Sequence, residues 1–296
     1  MGNLVPITRA NFLPLTIVIV FAGLAAAFYS HRVFLPIDAA LVMIGALLTH
    51  ASVNAFNNYF DYRSKIDAQT PKTPFSGGVD ILVKGMMKPS EALTVCLFTI
   101  ICAALIGVYF LLRLFNVLLP LIVYGAIIIV FYTPVLSRVP ALSEIVAGSG
   151  FGLMGLGVYV TQTGLIDAAG IAILIPITIL VALLLFLNEF PDAEVDKVGG
   201  RRHIVILLGK RGSAWLYVAG EAATYASIIL AVAVGAAPFP VLLSLFSLPI
   251  AYKAGRLTLK NYNRTRDLVP ALGSNVLFIL TTITLMAFGF VVASLV

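Results

Sequence analysis

The chain becomes acidic at Asn188-Glu189-Phe190-Pro191-Asp192-Ala193-Glu194-Val195-Asp196, directly after an apolar run from Ile171 to Leu187 that is long enough to lie in a membrane. Asp192 and Asp196 are four residues apart, so on a helix they share one face with Asn188. Such a density of negative charge beside a membrane is unfavourable unless water, a cation or a ligand compensates it.

A second polar cluster lies earlier in the chain, again at the end of an apolar segment, and comprises Asn54, Asn57, Asn58, Asp61 and Asp67. Offsets of three, four and seven residues place its first four members on one stripe of a helix. Two such faces, each closing a long apolar segment, indicate one divalent-cation site built by two halves of a membrane protein.

The composition places the chain in a membrane. Of its 296 residues 60% are hydrophobic and only 11% are charged, about half the charged fraction of a soluble domain. The apolar runs are continuous over about 20 residues, which suits helices that cross the bilayer and excludes the short alternating strands of a β-barrel. We predict an all-α polytopic membrane protein with nine transmembrane helices in a bundle around a central cavity. The predicted spans are about 12–30, 38–58, 91–112, 116–135, 142–163, 168–190, 212–235, 238–255 and 269–294.

The basic residues predict the orientation of these spans. If the N-terminus is cytoplasmic, every Lys and Arg except Arg32 and Arg113 lies in a cytoplasmic segment, as the positive-inside rule requires. Both polar clusters and their loops are then on the cytoplasmic side of the cell membrane. The net charge of +6 follows from this topology and needs no nucleic-acid partner to explain it.

Two cytoplasmic connections, about 59–90 and 191–211, are long. Their apolar patches at 81–83 and 204–208 indicate short helices that cap the cytoplasmic face. Each connection follows an Asn-x-x-x-Asp spacing and contains a Gly-Gly pair. We therefore expect a single domain over 1–296 with two weakly repeated halves, about 1–140 and 141–296, related as parallel repeats.

The two clusters and their loops predict a metal–diphosphate site. Carboxylate and amide oxygens select hard cations, and Mg²⁺ binds through few carboxylates together with phosphate oxygens of a substrate. The same loops carry Lys72, Lys84, Arg201 and Arg202, whose cationic groups suit a polyanion. The alternative is two solvated loop surfaces whose carboxylates pair with nearby Lys and Arg.

Other ionisable groups lie near this face of the predicted bundle. Tyr132 and Arg138 end the fourth span and are candidates for the site, although an interfacial Tyr also suits a membrane belt. Glu144 opens the fifth span at the same level and is a weaker candidate. His50 and His203 lack ligand spacing with another His, and we interpret both as structural.

Both clusters resemble known motifs. Asn54-x-x-Asn57-Asn58-Tyr59-Phe60-Asp61-x5-Asp67 and Asn188-x3-Asp192-x3-Asp196-x3-Gly200-Arg201 resemble the two aspartate-rich motifs of UbiA-superfamily intramembrane prenyltransferases. The resemblance extends over nearly the whole chain, including Arg9-Ala10-Asn11-Phe12-Leu13-Pro14 and Tyr132-Thr133-Pro134. It implies two Mg²⁺ ions that bridge the diphosphate of a polyprenyl donor, in a central cavity open to membrane lipid. It also implies transfer of the prenyl group to a lipophilic or aromatic acceptor.

The resemblance and the residue chemistry together give three overlapping groups of candidate residues. The catalytic candidates are Asp61, Asp67, Asp192, Asp196 and Tyr132. The diphosphate-binding candidates are Lys72, Lys84, Arg138, Arg201, Arg202, Asn57 and Asn188. The metal-binding candidates are Asn54, Asn57, Asp61, Asp67, Asn188, Asp192 and Asp196.

The six-residue step from Asp61 to Asp67 and the Asn188–Asp192 stretch look most like the 1,4-dihydroxy-2-naphthoate prenyltransferase branch, whose acceptor is a menaquinone precursor. Two features depart from that branch: Asn58 stands where Asp is frequent, and Arg201-Arg202-His203 replaces the usual basic-x-Thr sequence. Other acceptors stay open, namely 4-hydroxybenzoate, a tetrapyrrole side chain or a prenylated glycerol phosphate. Outside this activity, a membrane phosphatase or phosphotransferase and a transporter with an ion site at the cytoplasmic face are the alternatives.

Overall fold

The computed structural model describes residues 4–65, 72–76 and 78–295, and this part of the chain is helical without a strand. Seven of its helices are long and apolar enough to cross a membrane. The predicted all-α membrane fold is confirmed. The helices are α1 (Leu4–Ile7), α2 (Pro14–His31), α3 (Pro36–Arg63), α4 (Pro89–Phe131), α5 (Leu142–Thr163), α6 (Ala168–Val198), α7 (Ile204–Ala233), α8 (Leu248–Asn261) and α9 (Thr265–Leu295), with 3₁₀ segments at Ala10–Phe12, Leu136–Arg138 and Phe239–Ser247.

The predicted third and fourth spans both lie within α4, which is bent back on itself. Leu114 has a non-helical backbone, with φ −133° and ψ 39°. A Cβ placed on Gly107 would lie 3.7 Å from the side chain of Ile122, whereas these positions in a straight helix would be about 22 Å apart. The two arms therefore pack against each other, and the turn falls between the predicted spans.

The predicted eighth span is not one helix. A 3₁₀ segment at Phe239–Ser247 is followed by α8, and neither part alone has the length of a membrane-crossing helix. Pro238, Pro240 and Pro249 lack the backbone donors that a continuous α-helix requires, which accounts for the interruption. The count of nine spans therefore stays a prediction.

The second long connection, predicted at about 191–211, is mostly helical. α6 continues through the buried Pro191 to Val198, so only residues 199–203 separate it from α7. Gly209, with φ 72°, interrupts α7 and leaves residues 204–208 as a short helical segment, as the sequence predicted.

The apolar patch at 81–83 does not form the expected short helix. It lies in consecutive turns, where Ile81 and Leu82 are buried in a small cluster with Ile7, Ala55 and Cys96. Burial of these side chains against α1, α3 and α4 fixes the segment together with turn hydrogen bonds, such as the one that Lys84 N donates to the carbonyl oxygen of Asp80 (2.7 Å).

The interface of α5 with α6 is packed at backbone distance. A Cβ on Gly148 would lie 2.3 Å from the Thr178 carbonyl oxygen, and one on Gly152 would lie 2.0 Å from Thr178 Oγ1. Small residues four positions apart are the usual means by which membrane helices approach closely. The close contact holds the polar end of α6 beside α5.

Candidate active site

A cavity of about 270 Å³ lies between α3, the second arm of α4, α5 and α6. Its inner part is lined by apolar side chains, and its end near the loops is lined by amides, carboxylates and cationic groups. A cavity with one polar and one apolar part suits a ligand with a charged head and a hydrocarbon tail. The apolar lining includes Leu15, Val53, Ile128, Ile129, Phe151, Met154, Val181, Leu184 and Leu185.

α3 contributes Asn54, Asn57 and Asp61 to the polar end. The Asn54 amide donates to the carbonyl oxygen of Thr8 (2.9 Å), and the Asn57 amide donates to Thr133 Oγ1 (3.3 Å). These bonds hold both amides in place while Asp61 is 5% exposed on the same stripe. Three of the four residues predicted to share this stripe therefore line the cavity, whereas the fourth, Asn58, is buried and does not line it.

Arg9 is a cavity residue that the site prediction missed. Its guanidinium donates to the side-chain oxygens of Asn57 (2.9 Å) and Asn58 (2.7 Å). Its backbone is left-handed, with φ 48° and ψ 52°. The amide at position 58, where the related branch often has a carboxylate, thus accepts hydrogen bonds from a cationic side chain.

α6 contributes Asn188, Asp192 and Asp196, one on each of three successive turns. Because the helix continues through Pro191, the four-residue spacing brings all three side chains to the cavity. Asn188 Oδ1 is buried and accepts no hydrogen bond among the described residues. A buried oxygen without a donor is available to a cation or a ligand.

Arg201 joins the two clusters. Its guanidinium pairs with Asp61 of α3 and lies 3.1 Å from Asp196 Oδ1 of α6. Burial opposes the charge, but the carboxylates of Asp61 and Asp196 outweigh it and raise the pKa of Arg201 above its ordinary value. The two predicted halves of the site are therefore adjacent, at one end of the bundle, with a permanent cation between them.

The other predicted cationic residues are placed differently. Lys72 and Lys84 lie 3.5 and 2.9 Å from Asp80, whose pKa is lowered by the hydrogen bond from Lys84, and neither Lys lines the cavity. Arg138 and Arg202 are exposed and do not line it either. Asp67 lies outside the described residues. Of the five predicted cationic side chains, the structure brings Arg201 alone to the cavity.

Tyr132, a candidate site residue, directly follows the last residue of α4 and lines the cavity. Burial, followed by the neighbouring Glu189 carboxyl, raises the pKa of the Tyr132 phenol well above its usual value. The phenol therefore stays neutral at physiological pH and keeps its O–H as a donor inside the cavity.

Glu189 and His203 also line the cavity, although neither was predicted to belong to the site and His203 was interpreted as structural. Glu189 is the neighbour of Asn188 in the acidic stretch, whereas His203 follows Arg201 and Arg202 after the end of α6. His203 lies 3.4 Å from Asp196 through Nε2 and 3.7 Å from Glu189 through Nδ1. The departure of Arg201-Arg202-His203 from the basic-x-Thr sequence of the related branch was the signal that could have drawn attention to His203.

The model of the UbiA prenyltransferase family matches residues 16–282. The chain belongs to this family. It is therefore a prenyltransferase, which agrees with the activity implied by its two aspartate-rich motifs. The family match spans both polar clusters and the helices that carry the cavity.

Sequence and structural relatives agree with this membership. The chain is 31% identical over 247 residues to the 1,4-dihydroxy-2-naphthoate octaprenyltransferase of Bacillus subtilis (strain 168), which covers 80% of this chain and 76% of that protein. A UbiA homolog from Aeropyrum pernix K1 in its apo form has a TM-score of 0.72 at 19% identity, over 94% of this chain and 97% of that one. A UbiA homolog from Archaeoglobus fulgidus bound to DMAPP and Mg²⁺ has a TM-score of 0.58 at 14% identity, over 96% and 98% of the two chains.

Proposed function

We propose that this enzyme transfers a polyprenyl group from an allylic isoprenyl diphosphate to an aromatic quinone precursor of the dihydroxynaphthoate class, within the membrane, and releases diphosphate. The observation that carries the proposal is the placement of Asn57 and Asp61 opposite Asn188, Asp192 and Asp196 at the polar end of a cavity with an apolar interior. The identity to the Bacillus subtilis enzyme supports the choice of acceptor.

The donor set of this cavity fits Mg²⁺. Its ligand atoms are carboxylate and amide oxygens, which hard cations prefer, and Asn188 Oδ1 is buried without a hydrogen-bond donor among the described residues. The homolog bound to DMAPP and Mg²⁺ supports the same pairing of metal and diphosphate. We assign two ions to Asn54, Asn57, Asp61, Asn188, Asp192 and Asp196, with Asp67 as the remaining predicted ligand. When bound, Mg²⁺ acts as a Lewis acid that neutralises the departing diphosphate.

The chain's own residues supply the other requirements of the reaction. Breaking the donor C1–O bond leaves an allylic cation, and the diphosphate departs with the electron pair. The Arg201 guanidinium, already held at the polar end, is placed to compensate the charge that grows on the diphosphate. The Tyr132 O–H remains available as a donor there.

The apolar part of the cavity protects the cation. Phe151, Met154 and Leu184 line it together with other hydrocarbon side chains, so water is excluded from the reacting carbon until the acceptor carbon attacks. The attacked ring carbon then loses its proton, or its carboxyl group as CO₂, and the electrons of that bond restore the aromatic ring. The same surface receives the polyprenyl tail. A transporter is less compatible with this arrangement because its polar site would lie near the middle of the bundle on interrupted helices.

The test is product identification by mass spectrometry. Purified enzyme is given a polyprenyl diphosphate with 1,4-dihydroxy-2-naphthoate, 4-hydroxybenzoate or a prenylated glycerol phosphate, and Asp192→Asn serves as the inactive control. We expect a product in which the polyprenyl group is joined to the dihydroxynaphthalene ring, with or without the carboxyl group, and which is absent from the control. Turnover of the glycerol phosphate alone would reassign the acceptor, and release of inorganic phosphate or free prenol without a coupled product would overturn prenyl transfer to an acceptor.

A further inference from the structure

A cluster beside the diphosphate site has ligand chemistry of a different kind. Glu144 of α5, Glu189 of α6 and His203, which caps α7, each present a ligand atom within 4.8 Å of the other two. All three side chains are buried, with exposures of 3%, 7% and 1%. From their chemistry and placement we propose that this cluster binds one divalent transition-metal ion of the Zn²⁺ class, separate from the Mg²⁺ of the diphosphate site.

Three buried atoms of this cluster, on Glu189 and His203, lack hydrogen-bond partners. Among the described residues, Glu189 Oε2 and both ring nitrogens of His203 have no hydrogen-bond partner. Polar groups buried to this extent are almost always satisfied, because an unsatisfied one has lost its hydrogen bonds to water without gaining others in the protein. Two carboxyl groups at this separation repel each other when both are ionised. A bound cation would satisfy the nitrogen and the oxygens at once.

The donor types select the ion. Imidazole together with carboxylate favours Zn²⁺ and similar ions, whereas Mg²⁺ prefers oxygen ligands. The distance of 3.7 Å between His203 Nδ1 and Glu189 Oε2 suits two ligands of one ion, since each bond would be about 2.0–2.2 Å long. Small side-chain movements would bring the third ligand into the same range.

The surroundings of His203 match those of a metal-binding histidine. Its other nitrogen, Nε2, lies 3.4 Å from Asp196 Oδ2, and histidine ligands usually direct their second ring nitrogen at a carboxylate that fixes the ring. Asp196 also belongs to the diphosphate site. An ion at His203 would therefore orient a carboxylate that the prenyl-transfer reaction uses.

The backbone near the cluster is fixed by hydrogen bonds between elements. Ile204 N donates to Glu144 Oε1 (2.6 Å), Ser143 Oγ donates to Glu144 Oε2 (2.6 Å), and Ala141 N donates to the carbonyl oxygen of Arg202 (3.1 Å). Each carboxylate oxygen keeps a second lone pair for a metal. Glu189 and His203 also line the cavity, so the fourth coordination position would face the space that substrates enter.

The test measures metal content without substrate. Protein carrying an affinity tag without histidine is loaded with Zn²⁺ in detergent, desalted into buffer with excess Mg²⁺, and assayed by inductively coupled plasma mass spectrometry. We expect about one Zn²⁺ per chain in the wild type, with its loss in His203→Gln and Glu189→Gln. His31→Gln, which changes a histidine paired with Asp167 outside the cavity, is the matched control and keeps the ion.

A second measurement identifies the ligand in the folded wild type. Cu²⁺ bound at the cluster should show nitrogen hyperfine coupling from one imidazole in electron paramagnetic resonance, and the chain has three His in all. Retention of the signal in His31→Gln and His50→Gln would assign it to His203 even if His203→Gln does not fold. The proposal is overturned if the wild type keeps no Zn²⁺. A proton shared by the Glu144 and Glu189 carboxyls would then relieve their repulsion in place of a metal ion. Loss of Zn²⁺ in Asp192→Asn with full retention in His203→Gln would also overturn it, because the ion would then lie at the aspartates. Neither outcome depends on prenyl transfer.

Discussion

Arg201 pairs with Asp61 across the polar end of the cavity, joining residues 140 positions apart in the sequence. The same guanidinium lies 3.1 Å from Asp196. One cation therefore holds the carboxylates of both motifs in the absence of substrate. Binding of a metal–diphosphate would require this cation to exchange carboxylate partners for phosphate oxygens, which a planar, bidentate donor can do without loss of its charge.

Replacement of Arg201 should therefore reduce kcat more than it raises the donor KM. The charge on the diphosphate grows as the C–O bond breaks, so the guanidinium stabilises the transition state more than the bound substrate. We expect Arg201→Gln to lower kcat by about 100-fold or more, with partial recovery in Arg201→Lys. Lys84→Ala is the comparison, since Lys84 pairs with Asp80 and does not line the cavity. A larger loss of kcat in Lys84→Ala than in Arg201→Gln would place the diphosphate at the other loop.

The carboxylates of α6 provide a matched pair of variants. Asp192→Asn should reduce turnover by about 100-fold or more, because it removes a proposed metal ligand, while the protein still folds. Glu194→Gln changes an exposed carboxylate two residues away on the opposite side of the helix and should keep near wild-type turnover. Steady-state kinetics together with size-exclusion profiles separates loss of chemistry from loss of folding. Equal effects of the two variants would show that the cavity-facing position of Asp192 has no special role.

Metal and diphosphate should bind together. Two of the cavity carboxylates, Asp61 and Asp196, are already paired with Arg201, and Mg²⁺ gives up its water reluctantly, so Mg²⁺ alone should bind weakly. We expect thermal unfolding to shift little with Mg²⁺ alone and to rise by several degrees with Mg²⁺ and a polyprenyl diphosphate. EDTA should abolish turnover and added Mg²⁺ should restore it. Full activity in EDTA would contradict the proposed role of the metal.

The predicted orientation can be measured with single cysteines in a background that lacks Cys96 and Cys102. Positions 72 and 197 are exposed near the polar end of the cavity. Position 166 is exposed just before the first residue of α6, at the end of that helix far from the cavity's polar end. We expect an impermeant thiol reagent to label Lys72→Cys and Lys197→Cys from the cytoplasmic side only, and Ile166→Cys from the opposite side only, following the positive-inside rule. Labelling of 72 and 197 from opposite sides would be incompatible with one shared site.

The sequence predicted those features that depend on spacing along one helix. Asn188, Asp192 and Asp196, and likewise Asn57 and Asp61, reach the cavity because helical periodicity alone sets their direction. Most of the predicted second loop is helical instead, because α6 continues through Pro191 to Val198. The four-residue spacing of its polar side chains is the spacing of that continued helix.

Features that depend on contacts between distant segments were not predictable in this way. The positions of Lys72 and Lys84 depend on Asp80, which the composition of the loop does not identify as their partner. The cluster of Glu144, Glu189 and His203 comes from three elements, so no ligand spacing within one segment could reveal it. Arg9 reaches Asn58 over 49 positions of sequence for the same reason.

The close contact of α5 with α6 should be sensitive to a single methyl group. A Cβ at Gly152 would lie 2.0 Å from Thr178 Oγ1 and 2.9 Å from the Leu174 carbonyl oxygen, so Gly152→Ala must separate the helices or displace Thr178. Overpacking of this kind costs about 1–3 kcal/mol. Gly157→Ala on the same helix is the matched control, because no atom of the described residues outside its own helix backbone and chain neighbours lies within 4 Å of its Cβ position, and alanine favours the helix by about 1 kcal/mol. Thermal unfolding in detergent should therefore fall for Gly152→Ala and stay level or rise for Gly157→Ala. Because α6 carries Asn188, Asp192 and Asp196, Gly152→Ala should also lower turnover at temperatures where the variant is still folded. An unchanged melting temperature of Gly152→Ala would show that this interface is looser than the structure indicates.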